Sequence, residues 1–325
     1  MKEIIIGANE QGKRLDSFLK TYLKDASQSF IYKMLRKKNI TLNDKKADGK
    51  EKLSKDDHIK IFFSDDTLLK FTGESITKTE DYGRALKKFG DIPVIYEDEN
   101  IILLNKPAGV LSQKAEERDL SLNDWLIDYL LNKNTISKES LLTYRPSICN
   151  RLDRNTSGLV ICAKSLIGAR KMNRLIKERM VDKYYRTVVK GHLQKEMSLQ
   201  GFLSKDVKSN KVHILDHDPH NDKYSYIETA YRPLEYLKEK DLTLLEVKLI
   251  TGKPHQIRAH LSSIEHPIIG DVKYGGPKLS GVSSQLLHSY RLIFPKEIEE
   301  PFENLSGKEF IAELPDTFNR IITRG

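Results

Sequence analysis

A short polar turn that leads directly into an apolar segment is the feature that most constrains the fold of this chain. Residues 150–158 read NRLDRNTSG, and residues 159–163 read LVICA. A short apolar run bounded by a turn is typical of a buried strand. Functional groups are common on loops that a rigid core holds in place. We therefore expect Asp153, the carboxylate of this turn, to have a defined position beside a core strand.

The residues around Asp153 are compatible with two roles. Arg151 and Arg154 flank it in the sequence and would favour its ionised form. Thr156 and Ser157 can hydrogen bond to the local backbone and stiffen the turn. These features suit a reactive carboxylate, and they suit a structural ion pair equally well, because ion-pair networks also perturb carboxylates. The local sequence leaves both roles open.

The turn resembles the active-site motif HRLDxxTSG of the large-subunit ribosomal RNA (RluA-type) pseudouridine synthases. Asn150 stands where that family has histidine, and it can hydrogen bond but cannot titrate. The resemblance implies that Asp153 is the catalytic residue. The motif positions expected to contact the substrate are Arg151, Leu152, Thr156 and Gly158.

A strand with a tyrosine at its centre is predicted over residues 183–191, which read KYYRTVVKG. Side chains alternate between the two faces of a strand, so Tyr185 lies opposite Tyr184 and Arg186. The segment resembles the Lys-x-Tyr strand of the same family, which implies that Tyr185 is the active-site tyrosine. Such a tyrosine can stack on a base and take part in proton transfer.

A third segment, residues 251–261, reads TGKPHQIRAHL and resembles the family motif TGRxHQIRxHL, with Lys253 replacing an arginine. We expect a helix that begins at Pro254, since proline is favoured in the first helical turn. The resemblance implies that Arg258 pairs with Asp153, and a bidentate fork would orient the carboxylate. Two further substrate contacts are expected at His255 and Gln256.

The first part of the chain has the pattern of a small RNA-binding unit. Residues 11–63 predict two amphipathic helices, a lysine-rich hairpin with its turn at 43–44, and a closing strand. This order resembles an S4 RNA-binding domain, although a basic helix face is also an ordinary solvated surface. The candidate RNA contacts are Arg14, Lys33, Arg36, Lys37 and Lys38.

The predicted fold is α+β in two parts. We expect an S4-like domain over residues 1–63, a linker over 64–91 and a catalytic domain over 92–325. The resemblance implies that the catalytic domain contains a long, mixed but mainly antiparallel sheet with a central cleft. Lys106 follows a predicted strand, where it could meet a phosphate or be a surface lysine of a turn.

Charge and cysteine usage agree with an RNA partner inside the cell. The net charge of +9 favours a polyanionic partner. No apolar run approaches the ~20 residues needed to cross a bilayer, and the first residues do not resemble a signal peptide. Cys149 and Cys162 suit a reducing compartment. We expect a cytoplasmic monomer that acts on large-subunit ribosomal RNA or its assembly intermediates.

We expect no cofactor and no metal. The chain lacks a phosphate-binding loop or a dinucleotide fingerprint in its required context. His213, His217 and His220 lie in a polar segment without the spacing of a metal site. Pseudouridine formation is an isomerisation that needs no redox partner.

The predicted function is therefore isomerisation of specific uridines to pseudouridine in structured RNA, above all 23S ribosomal RNA. The alternative is a catalytically silent RNA-binding or ribosome-assembly protein that keeps the fold. A glycosidase is disfavoured because the motif contains no second carboxylate to act with Asp153.

Overall fold

The computed structural model describes residues 1–72, 82–206 and 211–323. The chain forms two compact units. The first contains Met1–Gly90, Asn123–Ser147 and Ala163–Arg170. The second contains Asp91–Leu122, Ile148–Cys162 and Lys171–Gly325. None of the described helices has the length and apolar character that crossing a membrane requires.

Short runs of helices and longer runs of strands follow one another along the chain. The helices are α1 (Leu15–Tyr22), α2 (Gln28–Arg36), α3 (Asp65–Thr72), α4 (Arg84–Phe89), α5 (Leu122–Asn132), α6 (Leu166–Lys177), α7 (Gln256–Ser263) and α8 (Asp316–Ile322). The first eight strands are β1 (Lys2–Ile5), β2 (Ile40–Leu42), β3 (Lys45–Lys46), β4 (His58–Ile61), β5 (Val94–Glu97), β6 (Ile101–Lys106), β7 (Ser147–Ile148) and β8 (Ser157–Ala163). The others are β9 (Asp182–Lys190), β10 (Met197–Lys205), β11 (Val212–Leu215), β12 (Ser225–Leu237), β13 (Leu242–Leu249), β14 (Leu287–Ile293) and β15 (Glu309–Ile311).

The first unit contains the two helices and the hairpin predicted near the start of the chain. Ser27 caps α2, because its Oγ accepts the N–H of Phe30 at 3.2 Å. Asn43 and Asp44 have φ angles of 50° and 62°, which makes a two-residue hairpin turn between β2 and β3. The strands form a sheet in the order β1-β4-β2-β3. The predicted helices and hairpin are thus confirmed.

The segment predicted as a linker, residues 64–91, contains α3 and α4, and its residues 73–81 lie outside the described part. Phe71 of α3 packs into the core of the first unit, with its ring 4.4 Å from that of Phe30. Asp128 caps α4 by accepting the N–H groups of Ala85 and Leu86. These contacts join distant parts of the chain, and local periodicity therefore gives no sign of either helix.

The second unit is organised around a long mixed sheet. Its strands lie in the order β11-β10-β12-β13-β9-β14-β8-β6-β5, with β15 on β14 and β7 on β8. The pair β14–β8 is parallel, and the pairs from β11 through to β14 are antiparallel. The predicted α+β class, with a mixed and mostly antiparallel sheet, is confirmed.

The predicted core strand is β8, and all seven of its residues are buried. Gly158 has a φ of +110°, and a Cβ added there would lie 2.2 Å from the carbonyl oxygen of Ser289 on β14. A side chain would therefore separate the two strands that meet beside Asp153. The glycine of the motif allows this close approach.

We expect Gly158→Ala to lower the free energy of unfolding by about 3 kcal/mol, because backbone strain and overpacking add together. The matched control is Gly307→Ala. Gly307 also has a positive φ, +65°, but an added Cβ would meet nothing within 4 Å. This control should cost only about 1 kcal/mol. Urea unfolding of the three proteins measures both values, and equal losses in the two variants would contradict the close-approach explanation.

Candidate active site

Asp153 lies in the turn that precedes β8 and forms an ion pair with an arginine from another part of the chain. Its Oδ2 accepts a hydrogen bond from Nη1 of Arg258, on α7, at 2.8 Å. The Asp153 side chain is 27% exposed, whereas that of Arg258 is 8% exposed. The carboxylate is thus held from the protein side and open on the other. The expected pairing of Arg258 with Asp153 is confirmed.

The bidentate fork of Arg258 binds a different carboxylate, so the expected fork on Asp153 is wrong. Arg258 Nε and Nη2 donate to the two oxygens of Asp271 at 2.6 and 2.8 Å. The Asp271 side chain is 1% exposed, and a buried carboxylate needs the stronger compensation. Burial lowers the pKa of Arg258, but the hydrogen bonds and charges of Asp271 and Asp153 outweigh burial and raise it overall. Arg258 therefore stays charged.

The arginines adjacent to Asp153 in sequence do not pair with it. Arg154 Nε donates to the carbonyl oxygen of Gly109 at 3.2 Å, and Arg151 is exposed. Over the described ranges, the only ion pairs of Asp153 join it to Arg258 and, at 3.9 Å, to His255. The arginine that pairs with Asp153 is therefore Arg258, and the expectation that Arg151 and Arg154 favour the ionised form stays a prediction. Consecutive side chains of this turn point in different directions.

Tyr185 lies on β9 and is buried, whereas Tyr184 and Arg186, its neighbours in the strand, are half-buried. Burial raises the pKa of Tyr185 to about 12, a hydrogen bond with Ser289 works in the opposite direction, and the charge of Asp153 raises it further. The phenol is therefore neutral at neutral pH. The charge of Asp153 thus acts on Tyr185, and both predicted site residues belong to the second unit.

Lys106 is buried, and its ammonium group bonds to the turn that carries Asp153. Its Nζ donates to the carbonyl oxygens of Val110, Pro107 and Arg154 at 2.8, 3.0 and 3.1 Å. Burial lowers the pKa of Lys106 to about 7, and the charge of Asp153 opposes this shift. Both expected roles, phosphate contact and surface lysine, are wrong. Lysine is seldom fully buried, and no local pattern indicates burial at this position.

The side chains of Thr156 and Ser157 were expected to bond to the local backbone. They bond instead to side chains from a distant part of the sequence. Ser157 Oγ lies 2.8 Å from Nδ1 of His288, and Thr156 Oγ1 accepts from Gln285 at 3.5 Å. Asn150 Oδ1 accepts the N–H of Ile161 on β8 at 2.7 Å. The amide oxygen of Asn150 thus serves as the acceptor in this contact without a titrating group.

Helix α7 begins at Gln256, so the expected start at Pro254 is wrong. His255 has a φ of 55°, which is outside the helical region, and it stands immediately before the helix. Gln256 is buried, and its amide bonds only to the protein. Its Oε1 accepts from Thr251 and Lys253, and its Nε2 donates to Glu228 and Thr229.

The predicted site residues fall into two groups. The side chains of Arg258 and His255 approach Asp153, and Tyr185 lies within its electrostatic reach. The remaining expected substrate contacts except Arg151 are buried, and they are Leu152, Thr156, Gly158 and Gln256.

Three lysines near the site were not expected from the sequence. Lys205 ends β10, and Lys273 precedes Tyr274 in a short turn. Burial lowers the pKa of His255 against the opposing charge of Asp153, and Arg258, Lys273 and Lys205 lower it further. Lys211 and Lys205 also act on Lys273. Lys205 and Lys211 belong to the polar part of the chain that also contains His213, and their charge was the available signal. In the described part of the chain, no group of His, Cys, Asp and Glu side chains could hold a metal ion.

His288 lies on β14 and is buried. This burial predicts that the fold loses stability in acid. Burial lowers the pKa of His288 to about 4, and a hydrogen bond to Ala312 opposes the shift. The unfolded chain therefore binds the extra proton first, and stability falls as the pH drops from about 6.5 to 4, by roughly 3 kcal/mol for this group.

We expect His288→Asn to reduce the slope of the unfolding free energy against pH in this acidic range. The control His217→Asn changes an exposed histidine and should keep the wild-type profile. Urea unfolding at pH 4.5, 5.5, 6.5 and 7.5 measures the slopes. A slope in His288→Asn equal to that of the wild type would contradict the assignment.

Comparison with known proteins identifies the family. The family profile described as RNA pseudouridylate synthase matches residues 100–263, about half of the chain. The chain is 32% identical to ribosomal large subunit pseudouridine synthase C of Rickettsia bellii, over 95% of this chain and 96% of that protein. The chain belongs to the RNA pseudouridylate synthase family. It is thus an isomerase that converts uridine to pseudouridine in RNA, as its motifs predicted.

Other relatives agree. Ribosomal large subunit pseudouridine synthase D of Borreliella burgdorferi is 32% identical, over 95% of this chain and 88% of that protein. Human RNA pseudouridylate synthase domain containing 4 has a similar fold, with a TM-score of 0.56 at 22% identity. That match covers 74% of this chain and 94% of the human one. The pseudouridine synthase fold predicted from the motifs is confirmed.

Proposed function

We propose that this enzyme isomerises uridines of large-subunit ribosomal RNA, with Asp153 as the catalytic carboxylate. The observation that carries the proposal is the ion pair between Asp153 and the buried Arg258. The names of the relatives from Rickettsia bellii and Borreliella burgdorferi support ribosomal RNA as the substrate. The net charge of +9 supports a polyanionic partner.

The reaction needs an ionised group beside the sugar and the base. The bond between C1′ and N1 breaks, the base turns, C1′ joins C5, and the proton on C5 leaves. An ionised carboxylate can act as a nucleophile or stabilise the intermediate. Arg258 engages Oδ2 of Asp153, and in the described ranges Oδ1 accepts no hydrogen bond. This leaves one carboxylate oxygen for the nucleoside.

Tyr185 is proposed to stack on the uracil and to assist the transfer of the C5 proton. An enzyme that acts on a base in structured RNA must take that base out of its stack, and an aromatic ring can receive it. Because the pKa of Tyr185 is raised to about 12, its hydroxyl is a donor at neutral pH. It can accept the C5 proton only as it passes its own proton on.

Residues 1–63, which belong to the first unit, are proposed to form an S4-like domain that adds affinity for RNA. The exposure of the four basic residues at the end of α2 supports this role, since phosphate contacts need accessible cations. Arg14 is also exposed, but it forks onto Asp16 at 2.7 and 3.1 Å. The α2 candidates are Lys33, Arg36, Lys37 and Lys38.

A cytoplasmic location and a monomeric state complete the proposal. Cys149 and Cys162 form no disulfide, which supports a reducing compartment. The catalytically silent alternative is not favoured. Asp153, Tyr185 and Arg258 are all present in this chain, and the relatives are named as synthases.

We expect Asp153→Asn to lower pseudouridine formation more than about 1,000-fold, as loss of a central catalytic group does. The dissociation constant for RNA should change less than about twofold, because the charge lost is not a phosphate contact. Tritium release from 5-tritiated uridine in ribosomal RNA measures activity, and filter binding measures affinity. Asp222→Asn, an exposed change of the same type, is the control. Wild-type turnover in Asp153→Asn would refute the proposal.

A further inference from the structure

Tyr274 contacts both residues that approach Asp153. It lies in the short helical turn Val272–Tyr274, after the buried Asp271. The guanidinium of Arg258 lies over its ring, 5.0 Å from the centroid. Its hydroxyl oxygen lies 2.9 Å from Nδ1 of His255, and the two rings meet edge to face. The family motifs gave Tyr274 no role in the site.

The hydrogen bonds around the Tyr274 hydroxyl determine where His255 carries its proton. The N–H of Val212, on β11, donates to the hydroxyl oxygen at 3.0 Å. A phenol has one proton to donate, and Nδ1 of His255 is its acceptor. This arrangement favours the imidazole tautomer that is protonated on Nε2. The opposite tautomer would direct two donors at the phenol oxygen and turn the phenol proton away from His255.

The protonated nitrogen of His255 points towards the catalytic carboxylate. Its Nε2 lies 3.9 Å from Oδ2 of Asp153, which is too long for a hydrogen bond. Burial lowers the pKa of His255, and Arg258 and the nearby lysines act in the same direction against Asp153. The ring is thus neutral at neutral pH, and it presents a single N–H beside Asp153 that the protein does not use within the described residues.

We infer that Tyr274 is a positioning residue that holds His255 in the Nε2–H tautomer, so that the ring offers a hydrogen-bond donor to an acceptor oxygen of the bound uridine. This inference rests on the proposed role of Asp153, because that role places the uridine beside the Asp153 carboxylate. Tyr274 acts through His255 and need not touch the substrate.

The first test is Tyr274→Phe in the full-length protein. Phenylalanine keeps the ring under Arg258 and removes only the hydroxyl. We expect the single-turnover rate at saturating ribosomal RNA to fall about tenfold, which is the effect of one hydrogen bond. The dissociation constant for RNA should stay within about twofold, as expected for an interaction used in the reaction step. The control is Tyr236→Phe, which removes a hydroxyl bonded to Asp241 at 2.9 Å and should leave the rate unchanged.

The second test reads the tautomer directly. Nitrogen NMR of ring-¹⁵N-histidine protein at pH 7.5, with the signals of His255 identified by their loss in His255→Gln, should show protonated Nε2 and unprotonated Nδ1. Tyr274→Phe should convert these signals to a tautomer mixture. A wild-type signal for protonated Nδ1, or an unchanged rate in Tyr274→Phe, would overturn the inference. Loss of RNA affinity with an unchanged saturated rate would also overturn it.

The two proposals can fail separately. A wild-type protein that makes no pseudouridine in ribosomal RNA would refute the proposed function and the role of the donor with it, whereas the tautomer is still read by NMR. Wild-type activity that depends on Asp153, together with a protonated Nδ1, would refute the inference alone.

Discussion

The structure of the site depends on one buried guanidinium that serves two carboxylates. Arg258 uses its fork on Asp271 and its remaining Nη1 on Asp153. A buried charge is stable only when it is fully compensated, and removing one partner of such a set costs several kcal/mol. Asp271 is enclosed, whereas Asp153 is 27% exposed. The enclosed pair fixes the arginine, and the arginine then presents an ionised carboxylate at the accessible side.

The main chain around Asp153 is held as firmly as its side chain. Lys106 joins the turn to the loop after β6 through three carbonyl oxygens. Asn150 bonds to β8 on one side of the turn, and Gly158 lets β14 approach on the other. A carboxylate fixed in both backbone and side chain loses little freedom when the substrate binds, and such preorganisation lowers the barrier to reaction.

Local pattern predicted the elements that carry the site, but not the contacts that complete it. The apolar run 159–163 predicted β8, and the segment 183–191 predicted the strand that carries Tyr185, because both follow from local sequence pattern alone. The fork on Asp271 and the burial of Lys106 depend on where distant segments meet, which no local pattern specifies. Helix α7 starts late because His255 adopts a left-handed backbone, and helices α3 and α4 are stabilised by contacts remote in sequence.

The reaction rate of Asp271→Asn at saturating ribosomal RNA tests most directly whether the pair of Asp271 and Arg258 holds Asp153 in place. Asparagine keeps the size of the side chain but removes the charge that fixes Arg258, so Asp153 should lose its orientation. We expect the rate to fall about 100-fold, as for a misplaced catalytic group, in a protein that still folds and binds RNA. A folded Asp271→Asn variant that forms pseudouridine at the wild-type rate would contradict this role of Asp271.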